Sequence, residues 1–447
     1  MNLNRRSFLS TAISAPLLAQ PARPNILWIL AEDIGPMLSC YGYPGVETPN
    51  LDQLASEGVR FNRAYTTAPV CSSSRSAFNV GLYQIHTGTH HHRSHRKDGF
   101  QLPAGARLIT DRMREAGYFT ANVRQFAEDA AGSGKTDYNF TAPKPFDGTH
   151  WNQRKDGQPF YAQVNFQEPH KGPAFVNARK QKKLVDPAKV VLPPYYPDHP
   201  VVRDEMANFL DAIHLLDRKV GQLIEALKRD KVWDNTVVFF MGDNGRCLIR
   251  GKQWLYQAGV HVPMFLRWPG VTRRATVNDD LVLSLDMTAT TLAAAGIPIP
   301  QNFHGRNLVA GGKPRSHIFT ARDRCDMTLD RIRSVRDKKY NFIRNFMPER
   351  PYTQFNQYIE TSYPTLGAMK ELHQKGKLNA AQSLFMAARK PDVELYDLEK
   401  DPHEIHNLAS SPAHRKVVKD LGGRLDAWLT EIDDKGAMAE NAAAREL

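Results

Sequence analysis

Residues 68–88, APVCSSSRSAFNVGLYQIHTG, set one cysteine and one arginine four residues apart where a strand-like run gives way to a helix-like one. A thiol just ahead of a helix N-terminus feels the unpaired N–H groups and the positive end of the helix dipole, which favour an anionic or strongly polarised group. Cys71 is therefore placed for chemistry, although a small buried thiol before an ordinary helix would have the same local sequence. Two further polar groups close apolar runs: 25–31, NILWILA, ends in Glu32 and Asp33, and 236–241, TVVFFM, ends in Gly242, Asp243, Asn244 and Gly245. Such runs fit parallel strands covered on both faces. Open α/β sheets put their sites beyond the carboxyl ends of these strands. Either polar pair alone would also fit a solvated loop, but four oxygen-bearing side chains at two strand ends suit a hard divalent cation such as calcium. A third run, 159–167, PFYAQVNFQ, delivers Glu168, Pro169 and His170. A histidine there either serves the same site or caps a turn.

The elements that would carry these residues can be read around them. Residues 48–61, TPNLDQLASEGVRF, read as a first helix with Asn50 at its N-cap and Leu51, Leu54 and Val59 on its apolar side. A short amphipathic helix is expected over 108–116. The proline-rich, basic stretch 180–200 reads as a surface loop. Met206, Phe209, Leu210, Ile213, Leu216, Val220, Leu223 and Leu227 then recur at helical spacing, which predicts one long core-packing helix over 203–230. From about Ser316 the character changes, and 332–346, IRSVRDKKYNFIRNF, alternates as strands do. This divides the chain into a larger unit over 23–315 and a smaller α+β unit with a short antiparallel sheet over 316–447.

A chain of 447 residues with 41% hydrophobic content can bury a substantial core in two units that share one site. Its four cysteines, Cys40, Cys71, Cys247 and Cys325, lack the paired spacing of a metal finger and are too few for a disulfide scaffold. A formal charge of +12 suits an acidic partner: nucleic acid, an anionic membrane surface or a polyanionic carbohydrate. The basic residues are scattered, with no block beyond Arg179 to Lys183, which favours a polyanion held in a cleft and argues against nucleic acid. No stretch after the N-terminus approaches eighteen uninterrupted apolar residues, so no membrane span is expected. Residues 1–22, MNLNRRSFLSTAISAPLLAQPA, join Arg5 and Arg6 to Phe8, Leu9 and a weakly apolar run ending in small residues. That pattern is expected of a twin-arginine export signal, directing the mature chain to the periplasm or beyond the cell.

Cys71, Ser74 and Arg75 resemble the signature of the type I sulfatases, in which a cysteine is followed by any residue, proline, serine or alanine, and arginine. Ser73 stands in the place of the proline. The resemblance covers nearly the whole chain beyond residue 22 and implies an alkaline-phosphatase-like fold. That fold is a doubly wound, mostly parallel sheet with a smaller C-terminal α+β domain closing the pocket. It implies that a formylglycine-generating enzyme oxidises Cys71 to formylglycine, whose hydrate is the nucleophile, with Arg75 supporting it. It also implies one divalent cation, usually Ca2+, beside Cys71 among Glu32, Asp33, Asp243 and Asn244, with Glu32 standing where an aspartate is usual. The family's motif of glycine, lysine, any residue and histidine is missing at 124–127. Gly134, Lys135, Thr136 and Asp137 recover its glycine and lysine, with Asp137 in the histidine's place. The segment GKQWLYQAGVHVPMFLRWPG implies Lys252 as a second active-site lysine, the strand end at 168–170 implies His170 as a contact to the ester, and 393–408 resembles the C-terminal sulfatase segment.

A sulfate monoester carries diffuse negative charge that grows on the bridging oxygen as the S–O bond breaks, so its site needs preorganised positive charge more than a strong base. On this reading the cation, Lys135, His170 and Lys252 hold the sulfuryl group of a sulfated oligosaccharide or glycosaminoglycan-type substrate. The scissile bond is an O-sulfate or, in the heparan N-sulfatase-like branch, an N-sulfate. The same cradle would stabilise a phosphodiester or phosphonate monoester. Ser73 and Asp137 also leave open a catalytically decayed polyanion-binding protein. His86, His90, His91 and His92, with Arg93, His95, Arg96 and Lys97 behind them, read as a cationic wall of the pocket or as a solvated loop.

Overall fold

The computed structural model describes residues 23–181, 183–440 and 444–445, so the expected export signal at 1–22 lies outside the described residues. Thirteen strands appear in chain order: β1 (Asn25–Ala31), β2 (Val59–Tyr65), β3 (Phe119–Val123), the small pair β4 (Gln125–Ala127) and β5 (Ala130–Ala131), β6 (Phe160–Phe166), β7 (Thr236–Gly242), β8 (Met264–Arg267), β9 (Thr276–Leu283), β10 (Ile318–Arg322), β11 (Ile332–Arg336), β12 (Tyr340–Asn345) and β13 (Val393–Asp397). Seven of them form one sheet in the order β3-β6-β1-β7-β8-β2-β9. All neighbours in it are parallel except β8, which runs against β7 and β2. Every residue of β1, β6 and β7 is buried, which is why these strands are apolar without alternation. Trp28 of β1 shows how tightly the covering helices seat. Its ring meets Phe78 of the Cys71–Val80 helix edge-on at 6.1 Å, and its indole N–H donates to Thr291 Oγ1 at 2.9 Å.

Register positions the site. Ala31 stands opposite Phe166 on one side and Gly242 on the other, so the chain leaves β1, β6 and β7 at one level with Glu32, Gln167 and Asp243 side by side. The second sheet is antiparallel in the order β10-β11-β12-β13, with the helix Arg415–Glu431 packed on it. It reaches the first through β10: Ala321 N–H donates to Thr67 O at 2.9 Å, just ahead of the Cys71 helix. Among the described residues, no helix is long and apolar enough to cross a membrane.

Two local expectations change. The first helix is Pro49–Ser56, so Val59 belongs to β2 and the N-cap is Thr48 in place of Asn50. Asp217, on the long helix Pro200–Arg229, supplies the cap from a distance by accepting from Leu51 N at 2.8 Å and from Asn50 Nδ2 at 2.8 Å. A capping bond is typically worth about 1 kcal/mol, and here it also fixes one helix against another. The stretch read as a loop over 180–200 holds the end of the helix Pro173–Gln181 and one 3-10 turn, Pro187–Lys189.

Candidate active site

Four of the sequence-derived side chains meet at the ends of β1 and β7. Asp33, held at φ 57°, receives a hydrogen bond on Oδ1 from Asn244 Nδ2 at 2.8 Å and on Oδ2 from Lys252 Nζ at 2.8 Å, while its own N–H donates to Asp243 Oδ1 at 3.0 Å. Cys71, the first residue of its helix, places Sγ 3.5 Å from Asp33 Oδ1. Arg75 follows one turn later on the same face. It donates through Nε to Asp243 Oδ2 at 2.8 Å and through Nη1 to Asn165 Oδ1 at 2.7 Å. Arg75 thus fixes Asp243, with its buried Nη2 left without a partner. Lys135 lies within 2.7 Å of Glu32 Oε2 and 3.3 Å of Asp137, whose other ion pair is to Arg96. His170 Nε2 lies 3.6 Å from Asp33 Oδ2. The nine candidate catalytic and metal-binding residues, together with Asp137, therefore fall in one constellation. The backbone around Lys252 is strained, with Arg250 at φ 64° and Gln253 at φ 81°, and Gln253 N–H ties this loop to Pro69 O at 2.9 Å.

Burial makes this a site of strong electrostatics. Asp33, Asp243 and Asn244 are wholly buried, and Glu32, Cys71, Arg75 and Lys252 nearly so. Burial alone would raise the Asp33 carboxyl, but Lys252 and His170 outweigh it and hold the group well below the ordinary carboxylate range. For Glu32 the balance falls the other way, and burial outweighs Lys135. His170 is pushed down to about 3 by burial and by Lys252, so its ring is neutral at physiological pH. Cys71 corrects the expectation from helix position: burial and the Asp33 carboxylate outweigh Lys135 and Lys252 and push the thiol up to about 12. An unmodified thiol here is a poor nucleophile near neutral pH.

The donor set fits a hard divalent cation. Glu32 Oε1 and Asn244 Oδ1 are buried and accept no hydrogen bond among the described residues, a costly state for an oxygen unless a ligand completes it. Ligand atoms of Asp33, Cys71 and Asp243 lie within 4.8 Å of one another, as do those of Glu32, Cys71 and His170. Carboxylate and amide oxygens of this kind suit Ca2+ better than softer ions.

The histidine run departs from both sequence readings. His90, His91 and His92 are buried, and burial first holds all three below the ordinary histidine range, His91 and His92 at about 4. They form no cationic wall. Ser73 is equally interior, donating Oγ–H to His90 O at 2.8 Å. Sequence reasoning missed Asn165, Asp326 and Tyr358. Asp326, in a tight turn between Cys325 and Thr328, lies 2.8 Å from His92 Nδ1 and accepts from Gln253 and Asn356 at 3.3 Å each. Tyr358 stacks on the His170 ring at 6.0 Å with Lys252 Nζ 5.5 Å from its own centroid. Asn165 had a visible signal, an amide inside an apolar strand. The other two had none, because segments distant in sequence bring them to the site.

A buried array of carboxylates and cations around a helix N-terminus, at the carboxyl edge of a doubly wound sheet, has the chemistry to hold a tetrahedral oxyanion. The sulfatase family profile matches residues 24–297, and the profile described as "N-sulphoglucosamine sulphohydrolase, C-terminal" matches residues 248–357. The chain belongs to the sulfatase family and is a sulfatase enzyme. It is 32% identical to an ulvan-active sulfatase of Formosa agariphila, over 96% of this chain and 78% of that protein. It is 26% identical to human N-sulphoglucosamine sulphohydrolase, over 95% of this chain and 94% of that protein. In fold it resembles the phosphonate monoester hydrolase of Agrobacterium radiobacter, with a TM-score of 0.67 at 17% identity over 92% of this chain and 96% of that one.

Proposed function

We propose that this sulfatase releases sulfate from a sulfated carbohydrate, using a formylglycine made from Cys71 and one divalent cation. The observation that carries the proposal is the convergence of Cys71 Sγ, the Asp33 and Asp243 carboxylates and Lys252 Nζ at one buried point. Glu32, Asp33, Asp243 and Asn244 would hold a calcium ion beside residue 71. Such an ion supplies Lewis-acid stabilisation of a charged oxygen. Formylglycine, when formed, supplies a hydrated aldehyde whose second hydroxyl allows sulfate to leave by elimination, an exit denied to a thiol adduct.

The chain's own residues do the remaining work. Lys252 is clamped by Asp33 and stays protonated, because that carboxylate outweighs the burial opposing it. Its other N–H bonds are available to a sulfuryl oxygen. Lys135 serves the opposite edge, and neutral His170 orients through Asp33 and the Tyr358 ring. Arg75 fixes the position of Asp243. Charge placed in advance in a water-poor cleft costs no reorganisation during the reaction. The carbohydrate assignment is supported by the names of the two relatives, one active on ulvan and one on an N-sulphoglucosamine. The N-terminal pattern at 1–22 supports export, as a periplasmic or secreted enzyme.

The test is sulfate release from a panel of O- and N-sulfated saccharides, run beside aryl phosphodiester and phosphonate substrates. The proposal expects turnover of at least one saccharide sulfate and its loss in Cys71→Ala. Faster turnover of a phosphonate than of every sulfate would favour the other hydrolase reading.

A further inference from the structure

A second cleft lies well away from Cys71, between the segment 306–319 and the helix Arg415–Glu431, with a volume of about 530 Å³. Arg306 and Lys313 approach it from the segment 306–319 and Arg424 from the helix opposite. All three are exposed, and none forms an ion pair among the described residues. Most of the interior arginines behave differently: Arg315, at the base of this cleft, is spent on Asp286 through two bonds of 2.6 and 2.7 Å. The one acidic residue lining the cleft is Glu431. Its floor is apolar, where Phe319 and Trp428 stack 4.5 Å apart at 5°.

The cleft is separate from the catalytic pocket. Trp428 meets Tyr83 edge-on at 5.1 Å, and Tyr83 lies three residues beyond the far end of the ten-residue Cys71–Val80 helix. That helix alone spans about 15 Å at 1.5 Å per residue.

We infer that this cleft is an exosite for a distal segment of a sulfated polysaccharide, with Arg306, Lys313 and Arg424 as its anion contacts and Phe319 and Trp428 as its floor. The inference rests on the sulfatase reading for the identity of the polymer. Exposed cations gathered in a concave site attract a polyanion more strongly than the same charges spread over a convex surface. The volume suits a short saccharide segment. It is too small for a nucleic-acid duplex. An anchored polymer presents its remaining sulfates to the catalytic pocket at raised effective concentration, which a monosaccharide cannot exploit.

Heparin serves as the probe, by titration calorimetry at two salt concentrations. The variant Arg306→Ala/Lys313→Ala/Arg424→Ala is compared with a charge-matched control, Lys189→Ala/Arg273→Ala/Arg274→Ala, whose three side chains are also exposed. Unchanged melting temperatures show that both fold. The exosite variant is expected to bind heparin about tenfold more weakly with a shallower salt dependence, and the control to stay within about threefold of the unsubstituted chain. Equal losses in the two variants, or none in the first, would overturn the exosite. So would a single-stranded oligonucleotide of matched charge that binds the unsubstituted chain as tightly as heparin through the same three residues. Sulfate release by the unsubstituted chain is scored separately, so failure of the sulfatase reading is not confused with failure of the exosite.

Discussion

Replacing Lys252 by methionine keeps the length of the side chain and removes its charge from a place that is 4% exposed and 2.8 Å from Asp33. Two effects follow. The Asp33 carboxylate loses the partner that does most to hold it ionised, and breaking one side of a buried ion pair costs about 3–5 kcal/mol. On the proposed role, the reaction also loses a preorganised cation at the developing sulfuryl charge, for which about 2.7–4 kcal/mol is typical, or roughly 10² to 10³ in kcat. The two can be told apart. Denaturant unfolding reports the first, and the double variant Lys252→Met/Asp33→Asn, which removes the orphaned charge, should regain most of the stability. Turnover reports the second, and the double variant should regain none of it. A Lys252→Met enzyme that keeps kcat within about threefold of the parent would refute the assignment of this lysine to the transition state. Recovery of both properties together would reduce it to a structural residue.

Further predictions concern other parts of the molecule. Burial opposes ionisation of Asp434, but Arg333 and Arg331 outweigh it and bring the group to about 2, below the ordinary 3.8. The stability this contributes, about 2 kcal/mol, is therefore complete above roughly pH 4 and lost as pH falls through 2. Asp434→Asn should flatten that limb of an acid-unfolding profile, and an unchanged profile would contradict the pairing. Asp326→Ala should lower kcat/KM for saccharide sulfates at least tenfold while changing aryl-sulfate turnover by less than about threefold, since an acceptor held from three sides suits a substrate hydroxyl or N–H. Equal losses on the two substrates would mean that Asp326 acts only by holding His92 and Gln253. Ser73→Pro should fold at a cost of about 1 kcal/mol for the lost bond to His90 O, because proline is tolerated in the first helical turn. It should also raise the fraction of Cys71 converted to aldehyde, as read by mass spectrometry of the purified variant.

Much of this architecture could be read from residue order. The strands β1, β6 and β7 are uninterrupted apolar runs because both their faces are covered, and each ends at the polar residues that matter. The long helix announces itself by spacing, and its observed bounds, Pro200–Arg229, differ from the expected 203–230 only at the ends. What escaped the sequence depends on contacts between distant segments. The cap of Pro49–Ser56 comes from Asp217 on another helix. The run His90 to His92 looks cationic by composition, yet the fold closes over it and burial discharges the rings. Asp326 and Tyr358 sit in segments without a motif, and contacts with distant parts of the chain, Asp326 with His92 and Gln253 and Tyr358 with His170, place them at the pocket. The pKa of Cys71 is of the same kind: helix position favours a thiolate, and three-dimensional burial reverses it.

The central claim is that position 71 works as an aldehyde and not as a thiol. Mass spectrometry of the peptide containing Cys71, from active enzyme made in a host that supplies a formylglycine-generating enzyme, measures this directly. The account predicts the aldehyde form, in a fraction that rises and falls with specific activity across preparations. A fully active preparation carrying only the unmodified thiol would contradict it.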